Sequence, residues 1–260
     1  MSTKEVQGKL WSIAPQFWSK HFEPFFVPMY KGTLDQIKLS ADSLLLDAGC
    51  GAGLFSSMAI ATGAGVIGVD AAPGLLEVAR ERNPQNNFME EDLESLPFAS
   101  GSFDVVTGFN SFQYAGNFTN ALSEAKRVLK DGGRLVLGIW DQPEKSDATT
   151  VLKSIGTLLP PPPPGTPGPF TLSEEGKIEH ILQSLQLKLV SKTIISCPFL
   201  YYALNDGIKS FMGTGPAAAA LNYATEKKIQ QTIAKALKPY LLIEDMYHLQ
   251  NSFILFVAEK

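Results

Sequence analysis

Residues 44–55, LLLDAGCGAGLF, decide the fold. An apolar run ends in an acid, Asp47, and three glycines follow at Gly49, Gly51 and Gly53. A continuous apolar run is typical of a parallel strand that is buried on both faces. A strand that leads through a glycine-rich turn into a helix is a common nucleotide-binding unit, because glycine lets the backbone approach a ligand closely.

The pattern of strand and helix repeats after this turn. Four further strands are predicted from GVIGVD (65–70), NNFMEED (86–92), FDVVTGF (103–109) and RLVLGIW (134–140). The predicted helices between them are LFSSMAIATGAG (54–65), PGLLEVARER (73–82) and FTNALSEAKRVLKDGG (118–133), the last ended by its two glycines. Strands that alternate with helices at this interval predict a doubly wound parallel sheet with right-handed crossovers.

The alternation loosens after Asp141. The patterns predict a helix near 148–159, a helix with Ser173 as its N-cap, a sixth strand over 187–199, mostly helix over 204–240 and a final strand over 246–260. Because helices separate the two late strands, we expect an antiparallel addition at the edge of the sheet.

Two segments allow more than one interpretation. Residues 11–30 are rich in aromatic side chains and are predicted to form short helices that either pack on the core or cover a pocket as a lid. Residues 159–170, LPPPPPGTPGPF, must run extended. They form a stiff connector, the rim of a pocket, or a ligand for a proline-binding partner.

The composition excludes several functions. A formal net charge of −4 and a pI near 5.5 leave no basic excess for a nucleic-acid backbone. The two cysteines, Cys50 and Cys197, and three scattered histidines give no disulfide framework and no metal-ligand spacing, so no metal is expected. The sequence has no signal-peptide pattern and no apolar stretch of membrane-spanning length, which predicts a cytoplasmic protein.

The position of Asp47 distinguishes between two classes of nucleotide ligand. A carboxylate beside a diphosphate would be repelled by roughly 4 kcal/mol per close charge pair at an effective dielectric constant of about 20. A ligand that carries a sulfonium and an α-ammonium group, such as S-adenosylmethionine, would be attracted instead. Asp70 does not distinguish them, because either ligand has a ribose for a carboxylate at the end of the second strand.

The motifs resemble those of a known family. LLLDAGCGAG, VIGVD, MEEDLESLPFASGSFDVV and LKDGGRLVL, in this order, are similar to the motifs of class I S-adenosylmethionine-dependent methyltransferases. They are most similar to the small-molecule group that includes the ubiquinone- and menaquinone-biosynthesis enzymes, the methyltransferase type 11 group. The resemblance covers residues 43–140. It implies a Rossmann-like, seven-stranded, mostly parallel sheet with an antiparallel edge strand, N-terminal helices and a helical cap.

The resemblance also implies how a cofactor would be bound. Asp47, Gly49, Cys50 and Gly51 would face its methionine part, with Gly51 and Gly53 permitting close backbone approach. Asp70 would accept from both ribose hydroxyls, Ala71 would lie along the adenine, and Asp92 and the Leu93 N–H would contact the adenine ring. Asn110 and Ser111 would line the end where the methyl group is transferred.

The acceptor pocket of this family is built from N-terminal helices and late insertions. The corresponding candidates here are Trp18, Phe22, Tyr30, Phe112, Tyr201 and Tyr202. Their aromatic character favours an apolar or aromatic small-molecule acceptor. No general base is evident, and His21, His248 and Tyr201 are the candidates for a catalytic side chain.

The domain prediction is an N-terminal helical lid over 1–42 and a single methyltransferase domain over 43–260, with cap insertions near 142–172 and 203–243. Two competing functions stay open. A non-catalytic cofactor-binding partner subunit would keep the cofactor residues. An NAD-dependent oxidoreductase would share the fold but leave Asp47 unexplained. The acceptor, the atom methylated and the oligomeric state do not follow from the sequence.

Overall fold

The computed structural model describes residues 2–161 and 168–260. Its centre is a seven-stranded sheet with the strand order β3-β2-β1-β4-β5-β10-β6. The strands are β1 Leu44–Ala48, β2 Gly65–Asp70, β3 Asn87–Glu90, β4 Phe103–Phe109, β5 Leu129–Trp140, β6 Lys188–Ser196, β7 Phe199–Tyr201, β8 Leu241–Ile243, β9 Met246–Leu249 and β10 Ser252–Glu259. Strands β1 to β5 are parallel, so their carboxyl ends meet at one edge.

The helices cover both faces of this sheet. They are α1 Lys4–Trp11, α2 Pro15–Phe17, α3 Val27–Ile37, α4 Leu54–Ile60, α5 Pro73–Arg82, α6 Phe118–Val128, α7 Ala148–Gly156, α8 Lys177–Ser184, α9 Leu204–Met212, α10 Gly215–Ala220 and α11 Glu226–Leu237. Neighbouring strand residues enter different cores: Leu45 joins the cluster with Phe26 and Phe55, whereas Leu46 joins the cluster with Leu122. Both faces of β1 are therefore buried, which explains why its sequence begins as a continuous apolar run.

The antiparallel addition lies at the β5 end of the sheet, as predicted, and confirms the fold class. Strand β10 is inserted between β5 and the outermost strand β6, and it runs antiparallel to both. The predicted single final strand over 246–260 is wrong, because the strand is interrupted at Asn251. The Asn251 side chain accepts from the N–H of Ala148, and its carbonyl accepts from Cys197. Strand β9 pairs instead with β7 and β8 in a second, three-stranded sheet.

Two predicted helix ends are also corrected. Helix α6 ends at Val128 and not at the two glycines, because Leu129 already pairs with Phe103 in the sheet. Ser173 does not cap α8, which begins at Lys177; its hydroxyl donates to the carbonyl of Trp140. Of the proline-rich stretch, residues 162–167 lie outside the described residues.

The N-terminal segment and the late helices cover the carboxyl edge of the sheet together. Between α2 and α3 the chain continues through a π-helical turn, Trp18–Phe22, and a 3-10 turn, Glu23–Phe26. A Cβ at Gly213, the residue that follows α9, would fall 2.5 Å from the backbone nitrogen of Trp18, so the two backbones touch. Helix α10 packs on α1 in the same way, with Gly215 against the ring of Trp11.

Candidate functional site

A cavity opens at the carboxyl edge of the sheet, beneath the N-terminal segment. It contains about 1020 Å³ of empty space when the open solvent at its mouth is included. Its lining in the described residues is Thr3, Lys4, Gln7, Trp11, Trp18, Phe22, Phe26, Gly49, Gly51, Asp70, Ala71, Leu75, Glu91, Asp92, Leu93, Phe109, Asn110, Ser111, Tyr114, Ala115, Trp140, Leu152, Pro169, Thr214 and Pro216. A smaller cavity adjoins it below the glycine turn.

The glycine turn after β1 requires its glycines. Gly49 and Gly51 have φ values of +80° and +54°, a left-handed region that other residues rarely adopt. A Cβ at Gly49 would clash with the side chain of Ser111. Gly49 and Gly51 both line the cavity, as predicted for residues that let the backbone approach a ligand.

Most backbone N–H groups of this turn donate within the protein. Those of Gly49 and Cys50 donate to the carbonyl of Val69, and that of Gly53 donates to Cys50. The Leu54 N–H, at the start of α4, donates to the carboxylate of Glu23 at 3.2 Å. The turn therefore differs from a phosphate cradle, in which such N–H groups point at the ligand.

Glu23 is a buried carboxylate that the sequence did not reveal. It is 2% exposed, and its second oxygen accepts from Arg82 at 2.8 Å. Arg82 also donates to the carbonyl of Ala52. Burial raises the pKa of Glu23, while the Arg82 guanidinium opposes the rise. The pair joins the N-terminal segment to the glycine turn and to the end of α5.

Asp47 lies below the turn rather than on the wall of the main cavity. Its two oxygens accept from the hydroxyls of Ser56, at 2.6 Å, and Thr107, at 3.1 Å. Burial raises its pKa to about 7, although both hydroxyls favour the ionised form. The carboxylate lines the smaller cavity, so it contributes a negative charge beneath Gly49 and Gly51 without a direct place in the larger space.

Asp70 occupies the position that the sequence predicts, at the end of β2 on the cavity wall. Its oxygens accept from the N–H groups of Gly51, at 2.8 Å, and Ala72, at 2.9 Å. Burial raises its pKa, and these backbone donors oppose the rise. A carboxylate has about four acceptor sites, so the same side chain can still accept from two hydroxyls of a ligand.

The next wall of the cavity contains Ala71, Asp92 and Leu93, as predicted. Helix α1 lies directly on this wall, because a Cβ at Gly8 would clash with the carbonyl oxygen of Ala71. Asp92 accepts from the N–H of Glu94 at 2.9 Å and from the Ser2 hydroxyl. No helix begins directly after Asp92, so its side chain does not cap one.

Asn110 and Ser111 line the cavity at the end of β4. Asn110 has a φ of +51°, and its side-chain oxygen accepts from the Trp140 N–H at 3.1 Å. Its amide nitrogen, Nδ2, is buried without a hydrogen-bond partner. The Ser111 hydroxyl donates to the carbonyl of Ala48. The orphaned Nδ2 is a donor that a ligand in the cavity would satisfy.

Two predicted cofactor residues point away from the main cavity. The Cys50 side chain packs with Leu76, Ala79 and Phe88, and burial raises the pKa of its thiol well above the usual range. Cys50 is therefore a small spacer rather than a nucleophile. At Gly53 a Cβ would fall 3.0 Å from that of Ala79, so this glycine permits helix packing and not an approach to the ligand.

The predicted acceptor residues separate into two groups. Trp18 and Phe22 line the main cavity, and Tyr30 lines the smaller one. The other three lie elsewhere: Phe112 is buried in the core behind β4, Tyr201 is buried with its hydroxyl on Ser210, and Tyr202 is 70% exposed.

The candidate catalytic side chains also lie away from the cavity lining. His21 lies on the outer side of the N-terminal segment, 3.8 Å from Asp206, and burial lowers its pKa. His248 lies on β9, where it pairs with Leu200. Tyr201 has its hydroxyl bound in the core.

Sequence reasoning missed several aromatic residues of the cavity. Phe109 and Trp140 end the parallel strands β4 and β5, so their position at the carboxyl edge was a usable signal. Trp11 and Tyr114 pack edge to face, with ring centroids 5.7 Å apart. The predicted N-terminal lid over 1–42 includes α1, but the sequence did not single out Trp11 within it.

Comparisons with known proteins agree with this geometry. Residues 46–137 match the family described as "Methyltransferase domain". The chain is 33% identical over 116 residues to the malonyl-[acyl-carrier protein] O-methyltransferase of Erwinia pyrifoliae, covering 45% of this chain and 44% of that protein. It is 39% identical over 111 residues to the demethylmenaquinone methyltransferase of Thermus thermophilus, covering 40% of this chain and 50% of that protein.

A solved structure extends the similarity to most of the fold. The geranyl diphosphate C-methyltransferase of Streptomyces coelicolor A3(2), in complex with Mg²⁺, geranyl diphosphate and S-adenosyl-L-homocysteine, superimposes with a TM-score of 0.51 at 17% identity. The match covers 89% of this chain and 78% of that one. The present chain spans about half or less of the length of the curated relatives it matches. Across the described residues, no helix combines the length and the apolar character needed to cross a membrane.

Proposed function

We propose that this chain, a class I methyltransferase by its fold and by the match of residues 46–137, transfers a methyl group from S-adenosylmethionine to a small apolar acceptor. The observation that carries the proposal is the chemistry of the glycine turn. Most of its N–H groups already donate to Val69, Cys50, Asp70 and Glu23. The carboxylates of Glu23 and Asp47 line the smaller cavity beneath the turn.

This chemistry favours a cationic cofactor over a dinucleotide. The start of α4, where a pyrophosphate would accept from free N–H groups, already holds the Glu23 carboxylate. The Glu23 charge is balanced by Arg82, whereas the Asp47 carboxylate, when ionised, repels phosphate at this position and attracts an ammonium or a sulfonium group. The NAD-dependent alternative is therefore disfavoured.

The cavity residues fit the parts of S-adenosylmethionine. Asp70 has acceptor capacity for both ribose hydroxyls, and the Asp92–Leu93 wall has room for the adenine. The orphaned donor of Asn110 lies near the end of β4, where the reacting centre would be held. The cofactor supplies an activated methyl group, and the residues of this chain bind it, orient it and exclude water from it.

The far end of the cavity is suited to an apolar acceptor. Phe22, Phe26, Trp140, Leu152 and Pro216 provide its surface. The titratable side chains of the described lining belong to α1, to the ends of β2 and β3, and to Tyr114, whose pKa burial raises. The chain thus favours an acceptor that is activated by positioning or that needs no proton removed by the protein.

The relatives suggest which acceptors to assay first. Their names specify a malonyl thioester on a carrier protein, a demethylated menaquinone and geranyl diphosphate. All three combine an apolar or thioester body with an electron-rich or anionic reacting group. A cytoplasmic location and a small-molecule partner remain predictions.

Turnover of methyl-labelled S-adenosylmethionine with these three acceptor classes tests the proposal. The expected result is labelled product with one class and a loss of at least tenfold in Asp70→Ala. The surface variant Asp131→Asn, at a residue that is fully exposed, should behave like the wild type. Cofactor binding without turnover on any acceptor would favour a non-catalytic partner subunit. A protein that binds no cofactor would refute the proposal.

A further inference from the structure

We infer that the Trp18 indole N–H binds the carboxylate of the cofactor's amino-acid part. This assignment rests on the proposed function and moves Trp18 from the acceptor pocket, where the sequence placed it, to the cofactor. The indole nitrogen Nε1 is buried and has no hydrogen-bond partner. A buried donor without a partner costs about 1–3 kcal/mol, so this group indicates an acceptor on a ligand.

The position of Nε1 selects the part of the ligand. Trp18 lines both cavities, and a Cβ at Gly51 would lie 3.4 Å from Nε1. The indole therefore faces the glycine turn at the residue whose own N–H is bound to Asp70. In the proposed function Asp70 binds the ribose, so the amino-acid end of the ligand comes next along the glycine turn.

Five N–H groups of the turn are not available to that carboxylate, because those of Gly49, Cys50, Gly51, Gly53 and Leu54 all donate within the protein. The Trp18 indole supplies a donor beside Gly51. An indole N–H donates and does not accept, so it selects the anionic carboxylate rather than the ammonium.

The ring is held in place for this task. Trp18 stacks on Phe22 with ring centroids 5.0 Å apart and planes at 14°, and it meets Trp11 edge to face at 5.0 Å. The backbone nitrogen of Trp18 is in contact with Gly213. A fixed donor loses little conformational freedom when the ligand binds, which favours affinity.

Trp11 provides a matched control. Its indole also lines the cavity and packs edge to face on Trp18, and its N–H already donates to Gln7 at 3.2 Å. Replacing either tryptophan by phenylalanine removes an indole from the same cluster. Only Trp18→Phe removes a donor that is free for the ligand.

The experiment compares two ligands on three proteins by calorimetric titration. S-adenosylmethionine carries the carboxylate; its decarboxylated form keeps the sulfonium and the ammonium but lacks it. The wild type and Trp11→Phe should each bind S-adenosylmethionine at least tenfold more tightly than the decarboxylated form. In Trp18→Phe this ratio should fall at least fivefold, because only the carboxylate-bearing ligand loses a bond.

The outcomes separate the two proposals. If the wild type binds both ligands equally, or if Trp18→Phe weakens both by the same factor, the assignment is overturned while the proposed cofactor stands. The wild-type comparison needs no variant, so equal affinities there overturn the assignment even if Trp18→Phe does not fold. A wild type that binds neither ligand overturns the proposed function and the assignment with it.

Discussion

Replacing Asp47 by asparagine should make the stability of the protein less dependent on pH. Burial raises the pKa of Asp47 to about 7 from the ordinary value of 3.8, while asparagine has the same shape and no charge. The folded protein therefore holds the Asp47 proton more tightly than the unfolded chain. Between pH 3.8 and 7 the unfolded chain releases this proton first, so the stability of the wild type falls as pH rises.

The magnitude follows from the shift. A rise of about three pKa units, at 1.36 kcal/mol each, makes the ionised Asp47 cost the folded state up to about 4 kcal/mol above pH 7. Integrated between pH 5 and pH 8, the change is about 2–3 kcal/mol. The free energy of unfolding of Asp47→Asn, relative to the wild type, should increase by this amount over that range and level off above it.

Urea denaturation at pH 5, 6, 7 and 8 measures this difference. Asp104→Asn is the control, because the ion pair with Lys130 lowers the pKa of this partly buried carboxyl. The stability that ionised Asp104 contributes is lost only when the pH falls below the usual pKa of an aspartate. The offset of Asp104→Asn should therefore stay constant from pH 5 to 8. Glu23 and Asp70, whose pKa values are also raised, affect both the wild type and Asp47→Asn. A pH-independent offset for Asp47→Asn would refute the reasoning.

Three further substitutions probe the junction of the N-terminal segment with the sheet. Glu23→Gln leaves Arg82 without its buried anion and should lower the free energy of unfolding by about 3 kcal/mol in urea titrations, whereas a loss below 1 kcal/mol would mean that the pair is dispensable. Gly49→Ala combines a positive φ with a clash and should cost at least about 1 kcal/mol and abolish binding of S-adenosylhomocysteine in calorimetry; normal binding would contradict the geometry of the turn. Gly8→Ala should displace α1 and weaken the binding of S-adenosylhomocysteine about tenfold, ~1.4 kcal/mol. Gly156→Ala, where a Cβ meets open space, should leave this affinity unchanged. Equal affinities of the two variants would show that α1 does not cover the ligand.

Local patterns were sufficient for the parallel half of the sheet. Strands β1 to β5 were predicted because each apolar run is bounded by a turn and a helix, and the glycine turn required its left-handed residues. Asp70 followed from the same logic, since the end of β2 faces the edge where ligands bind. The mostly helical stretch predicted over 204–240 was also confirmed, with α9 and α10 separated at Gly213.

Contacts between distant residues determine what the sequence did not reveal. The direction of the Asp47 side chain depends on Ser56 and Thr107, and the Thr107 hydroxyl comes from a strand 60 residues away. Glu23 acquires its role only when the N-terminal segment folds over α4 and meets Arg82. Such pairings between distant residues leave no periodic pattern in the sequence from which they could be predicted. The split between β9 and β10 likewise depends on the bonds that buried Asn251 makes to Ala148 and Cys197.

Calorimetric titration of the wild type and Asp70→Asn with S-adenosylhomocysteine and NADH tests the central claim most directly. Asparagine keeps one acceptor oxygen for the turn, so the variant reports on the ligand more than on the fold. The wild type should bind S-adenosylhomocysteine with micromolar affinity and should not bind NADH. Asp70→Asn should bind S-adenosylhomocysteine at least tenfold more weakly, ~1.4 kcal/mol. Binding of NADH alone, or an unchanged affinity for S-adenosylhomocysteine in the variant, would contradict it.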